Sequence, residues 1–186
     1  MRFSYKLLML FLIVAHSNLI GQNDSQKQKQ MDTTLSSLSK IEYTIFESDS
    51  MKSRIFKDDY KTIKITKSDI ADCEALLREF INQYNIKGDR KLDSTKRYFK
   101  EVKHIEFIQL YQDQFHINLE RYGRQYFILQ APNKHKIVFI NCFCNPDEFD
   151  YKKDWIFVKD GGNCFFNLKI DLTDKKIIEF SENGVA

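Results

Sequence analysis

The chain has 186 residues, 29 of them basic and 26 acidic, with sixteen Phe and nine Tyr against only two Pro and six Gly. That length suits one domain large enough to bury a core without staples. The near balance of charge argues against a nucleic-acid binder, which would gather a basic surplus on one face.

The first 22 residues stand apart from any domain. Arg2 and Lys6 make a short basic start, and residues 7–15 (LLMLFLIVA) are an uncharged apolar run. His16, Ser17 and Asn18 then lead to Ile20-Gly21-Gln22. A membrane-crossing helix needs about 20 apolar residues, and this run is far shorter. A basic end, a short apolar centre and small residues beyond it are the parts of a secretory signal peptide. Cleavage is expected after Ser17 or near Gly21, within residues 17–22, leaving no transmembrane segment; a buried N-terminal helix is the competing reading. No cysteine follows the apolar run before Cys73, which argues against a lipid-anchored exported form. Without Arg2 and Lys6 the 29 basic residues become 27 against 26 acidic, a net charge of +1 for the exported form. The densest basic stretch, from Lys87 to Lys103, is interrupted by Asp89, Asp93 and Glu101 and reads as a solvated mixed-charge surface.

Residues 23–40 are Gln, Lys, Ser, Thr and Asp with few apolar side chains, a polar lead-in unable to offset its ordering entropy. Residues 41–186 then form a single domain. Residues 41–46 (IEYTIF) predict a first strand, and a second short one falls at 60–66, where Ile63 and Ile65 alternate with charged residues. The spacing of Ile70, Cys73, Leu77, Phe80, Ile81 and Tyr84 predicts a helix over 68–84, with Ser68 as N-cap and Gly88 as its stop. Residues 89–97 read as a polar linker. Residues 98–122 fit both periods, helix up to Lys103 and extended chain beyond it.

From Arg124 the pattern sharpens into four strands joined by short turns. Residues 124–130 lead through Pro132-Asn133-Lys134 into 136–144. An acidic loop, 145–153, leads to a strand-like run at 155–159. Its Asp147, Glu148 and Asp150 lack the alternating ligands and central Gly of a calcium loop. Asp160-Gly161-Gly162-Asn163 reads as a hairpin turn into 164–172, because two glycines supply positive φ. Thr173-Asp174-Lys175 then turns the chain into 176–181. Such brief connections imply antiparallel pairing. The expected class is α+β: N-terminal strands and a helix packed on a four-stranded antiparallel C-terminal sheet.

Alternation assigns faces. Val138, Ile140, Cys142 and Cys144 share one side, as do Cys164, Phe166, Leu168, Ile170 and Leu172, and the helix stripe is expected on this apolar face. Cys73, Cys142, Cys144 and Cys164 therefore all fall on core-facing positions. Export permits disulfides, and four cysteines allow three pairings. Cys142 and Cys144 lie on the same side of one strand and suit neighbours better than each other. A bridge from Cys164 to either of them is expected, with Cys73 within reach of the leftover thiol. A competing reading gathers Cys142, Cys144, Cys164 and His135 into a zinc or thiol site, although C-x-C lacks the spacing of a zinc knuckle. No sequence pattern for a nucleophile, a phosphate loop or a dinucleotide site occurs. No catalytic residue, cofactor or metal is assigned on this reading.

The opposite side of the sheet carries Phe139, Asn141 and Phe143 from one strand, and Asn163, Phe165 and Asn167 from the next. Aromatics interleaved with amides offer flat apolar area with orienting hydrogen bonds, a surface suited to a partner. The competing reading is that a second layer, from residues 99–122 or the N-terminal strands, covers it.

Several C-terminal stretches are distinctive together: Arg124-Gln125-Tyr126, Ile140-Asn141-Cys142-Phe143-Cys144, Asp160-Gly161-Gly162-Asn163-Cys164-Phe165-Phe166 and the closing Asn183-Gly184-Val185-Ala186. They resemble a group of uncharacterised small exported bacterial proteins. The resemblance covers the C-terminal third, implies no activity and carries over no site residue. A helix followed by an antiparallel meander also looks like the cystatin-like arrangement of many exported inhibitors. The expected function is a periplasmic or secreted, non-enzymatic module that binds another envelope or extracellular protein.

Overall fold

In the computed structural model the described residues are 41–46, 59–103, 108 and 114–184. The expected signal peptide and polar lead-in lie outside them, as does most of 104–113. Two short N-terminal strands, β1 (Tyr43–Ile45) and β2 (Lys61–Thr62), precede one long helix, α1 (Lys67–Glu101). Four longer strands follow: β3 (Tyr122–Gln130), β4 (Lys136–Cys144), β5 (Phe165–Asp171) and β6 (Lys176–Glu182). The chain is α+β, and β3 to β6 are a continuous antiparallel meander.

The sheet has six strands rather than four, in the order β1-β3-β4-β5-β6, with β2 also on β3. The edge of β3 is shared: β1 runs parallel to it at residues 124–126, and β2 runs antiparallel at 129–130. At the other edge, β6 bulges at Ile178, where Lys169 pairs with Glu179 and Ile170 with Ile177. Such a bulge disrupts the ladder locally and discourages further pairing.

The helix begins earlier than its stripe suggests. Thr66, not Ser68, is the N-cap: its hydroxyl accepts from the Asp69 N–H (3.1 Å), and the Asp69 carboxylate accepts from the Thr66 N–H (2.9 Å). This reciprocal capping box satisfies donors that an α-helix leaves orphaned. Lys136 adds a 2.9 Å ion pair to Asp69, tying the helix start to β4. Burial opposes the charge of Asp69, but the Lys136 and Thr66 hydrogen bonds outweigh it and hold the carboxyl below its ordinary range.

The helix also continues past Gly88, and residues 89–97 are helical rather than a linker. A glycine inside a helix costs about 1 kcal/mol relative to alanine. Here it is required by contact, since a Cβ would lie 1.9 Å from the Phe115 carbonyl oxygen. Beyond it only Leu92 is buried, so the segment reads as polar by composition while Leu92 still anchors it.

Ile70, Cys73, Leu77 and Ile81 of α1 are buried, and Phe80 meets Phe180 of β6 at 4.9 Å between ring centroids. Tyr126, Ile140, Phe166 and Leu168 are likewise fully or almost fully buried. Within this layer sits a buried ionic cluster. Arg124, 1% exposed, and Glu74, 0% exposed, approach to 2.7 Å between Nε and Oε1. The Tyr126 hydroxyl donates to the same carboxylate, and Arg124 donates to the carbonyls of Tyr122 (2.6 Å) and Leu119 (3.1 Å). Among the described residues no helix is long and apolar enough to cross a membrane.

Candidate functional site

Strand register arranges the outer face in rows. Gln125, Asn141, Asn167 and Ser181 stand side by side across β3 to β6. On one side of them lies the row Phe127, Phe139, Lys169 and Glu179, and on the other Gly123, Phe143 and Phe165. The 155–159 run does not join the sheet as a strand, and β4 pairs directly with β5. Gly161 and Gly162, at φ +100° and +57°, lead into a tight turn at Gly162–Cys164 rather than a hairpin between neighbouring strands. The chain between β4 and β5 is therefore a strap, and neutral amides hold it on the outer face.

Those anchors are specific. Buried Gln125 donates through Nε2 to the carbonyls of Tyr151 (2.8 Å) and Asp154 (2.7 Å). Its Oε1 accepts from the Ile156 N–H (2.8 Å) and from Asn141 Nδ2 (3.0 Å). Asn141 Nδ2 also donates to the Ile156 carbonyl at 2.8 Å. Farther along, Asn183 Nδ2 donates to the carbonyls of Val158 and Asp160. At the base, Cys144 and Cys164 form a disulfide across the neighbouring ends of β4 and β5, with Cα atoms 5.1 Å apart. Trp155 adds an edge contact with Phe46 (5.5 Å) and a tilted one with Phe139 (5.8 Å).

Between strap and sheet lies a cleft of about 540 Å³. Four of the six residues read as an outward surface, Phe139, Asn141, Phe165 and Asn167, line it together. Phe143 does not: it is fully buried, packed edge-on to Phe149 (5.7 Å) and against Tyr151 (5.5 Å) of the strap. Asn163 does not either. It sits in the turn before β5, where its carbonyl accepts from the Tyr122 hydroxyl (3.0 Å) and its side chain donates to the His116 carbonyl. Among the described residues the strap covers this face, with Phe46 beside β1 meeting Trp155.

The other wall of the cleft is Trp155, Ile156, Phe157 and Val158, with Lys169 and Asn183 at its margins. Phe157 is 78% exposed. Sequence reasoning missed this wall, and it missed Gln125. The available signal was Arg124-Gln125 inside an otherwise apolar strand, since buried polar side chains there must find partners.

The cysteines and His135 do not converge. Cys144 and Cys164 are bonded to each other, while Cys73 and Cys142 are unbridged and buried. His135 lies at the opposite end of β4, where Nδ1 is 2.7 Å from Asp171 Oδ2. A zinc or thiol centre built from Cys142, Cys144, Cys164 and His135 is therefore ruled out by position. Burial pushes both the Cys73 and Cys142 thiols up; Glu74 adds to the effect at Cys73, and at Cys142 the Arg124 charge opposes it while Glu74 adds to it.

Among the described residues, His135, Asp171 and Asp174 are the group with donor atoms close enough to share a cation. Each is already engaged. Asp171 accepts from His135 and from the N–H groups of Thr173 and Asp174, and Asp174 pairs with Lys176 at 2.7 Å. The arrangement braces the ends of two hairpins. No family model, no curated protein and no solved structure matches the chain, so the site is read from its own residues.

Proposed function

We propose that this chain is an exported, non-enzymatic protein that binds a partner in the envelope or extracellular space by taking an apolar side chain into the outer-face cleft. The observation that supports this reading best is the cleft itself. Its volume falls within the range of about 300–1,000 Å³ typical of ligand sites. Phe139, Trp155 and Phe165 supply aromatic wall, Asn141 and Asn167 supply orienting amides, and Phe157 projects at the rim. Aromatic anchors in such settings dominate protein recognition. Export is supported by the N-terminal sequence pattern and by the Cys144–Cys164 disulfide, which suits an oxidising compartment. The resemblance of the C-terminal stretches to small exported bacterial proteins agrees with this reading.

The test is site-specific cross-linking in the producing cell, with a photoreactive side chain replacing Phe157 and a control at exposed Tyr98 on α1. The expected result is a discrete adduct from position 157 that Phe165→Ser abolishes while the variant keeps its melting temperature. An equal yield from Tyr98, or an adduct indifferent to Phe165→Ser, would sink the proposal.

A further inference from the structure

We infer that the cleft recognises a main-chain amide group of an extended peptide, and that Asn167 is the residue that reads it. This rests on the proposed binding role of the cleft and names the chemistry of what binds. The row Gln125, Asn141, Asn167 is fixed by strand register. The first two members already hold one residue of this chain by its main chain, gripping the N–H and the carbonyl of Ile156. Asn183, beyond β6, grips two more strap carbonyls. Asn167 stands on β5 between these fastenings, paired through its backbone with β4 and β6, and its side chain lines the cleft with no hydrogen bond to any described residue. Asn141 uses Nδ2 for the strap, and its Oδ1 accepts no hydrogen bond from a described residue.

Continuity with the strap's own seat identifies the occupant. Adjacent strands are about 4.8 Å apart, so Asn167 repeats the Asn141 position one strand spacing farther into the cleft. An amide side chain offers one acceptor and two donors, which matches the N–H and C=O that one residue of an extended segment turns to the same side. The neighbouring aromatic rows, with Phe139 on one side and Phe165 on the other, then receive an apolar side chain of the same segment. A ligand that offered only a ring would leave Asn167 unused.

The experiment is an NMR titration of the full exported chain, isotope-labelled and following the Asn167 side-chain amide and the Phe165 ring. The probes are N-acetyl-Ala-Ala-Phe-Ala-Ala-amide, the same peptide N-methylated at every internal amide, p-cresol and a methyl glucoside. The pentapeptide is expected to shift both signals. Its affinity should fall about tenfold on N-methylation and about tenfold in Asn167→Ala, the effect of losing a hydrogen bond in a desolvated site. Binding of p-cresol should be unchanged by Asn167→Ala. Equal binding of both peptides to both proteins overturns the role of Asn167 and leaves the cleft as an apolar site. Preference for the glucoside overturns the peptide class. No shift at the cleft with any probe overturns this inference and the proposed function together.

Discussion

On the helix side of the sheet, Ile140, Phe166 and Leu168 are buried, and the polar cluster there is the Glu74–Arg124 ion pair with the Tyr126 hydroxyl donating to Glu74. On the outer side, Gln125 and Asn141 are buried by a strap whose backbone they bind, and the side chains that hold the strap there are neutral amides. The first face is covered by side chains that exclude water. The second is covered by main chain held at a few points, and between those points the cover lifts enough to leave a cleft. A face closed by continuous apolar contact has little room for a ligand, whereas one closed by discrete hydrogen bonds can keep part of its surface accessible.

Breaking one partner of the buried pair should have the largest effect. Glu74→Ala leaves the Arg124 guanidinium without its counter-charge at a site almost inaccessible to water. Removing one member of such a pair costs about 3–5 kcal/mol, whereas replacing both with apolar residues of similar volume is often neutral. Urea denaturation should therefore show a severe loss in Glu74→Ala and in Arg124→Ala. The double variant Glu74→Leu/Arg124→Met should recover most of the loss. A double variant as weak as the singles would mean that the hydrogen bonds of Arg124 to Tyr122 and Leu119, rather than the ion pair, hold this layer.

On the outer face the corresponding change is Gln125→Ala. It removes both carbonyl contacts at Tyr151 and Asp154 and the acceptor for the Ile156 N–H. The expected loss is about 2 kcal/mol, because several net contributions of roughly 1 kcal/mol are partly regained from water once the strap lifts. The distinguishing readout is hydrogen exchange. The Ile156 amide should lose protection strongly while Leu77 and Ile81 of α1 keep theirs. Uniform loss of protection would show that strap and core open as one unit, and the contrast between the faces would fail.

Those two faces were unequally legible in the sequence. The helix-side face could be read because periodicity reports it directly: Ile70, Cys73, Leu77 and Ile81 recur at helical spacing, and Val138, Ile140 and Cys142 alternate. The end of α1 is hidden from the sequence because Gly88 signals termination by propensity, while its actual constraint is the approach of Phe115, far off in sequence. Residues 155–159 carry β-forming residues and read locally as a strand. An extended segment whose hydrogen bonds go to Gln125, Asn141 and Asn183 leaves the same local signature as one paired in a sheet. The cleft depends on that distinction, so only part of its lining could be found from alternation.

The smallest predicted effect uses pH to separate the charged cover from the neutral one. Asp69 caps α1 and joins it to β4 through Lys136, and its folded-state pKa lies below the ordinary value of 3.8. A carboxylate whose pKa is depressed by folding contributes stability that is fully present above the unfolded value and is lost as pH falls through the folded one. Acidification below the ordinary carboxylate value of 3.8 should therefore weaken the attachment of the α1 N-terminus. Gln125, Asn141 and Asn183 do not titrate in this range, so the strap should stay seated until the domain unfolds. Asp69→Asn keeps the side-chain acceptor for the helix cap but gives up the charge. It should cost about 1 kcal/mol at neutral pH, in keeping with a capping group supported by a partly exposed ion pair, and flatten the acid limb of the stability profile. If Ile156 lost its exchange protection before the first turn of α1 as pH fell, the outer cover would depend on carboxylates, and Tyr151, whose hydroxyl donates to Glu42, would be the contact responsible.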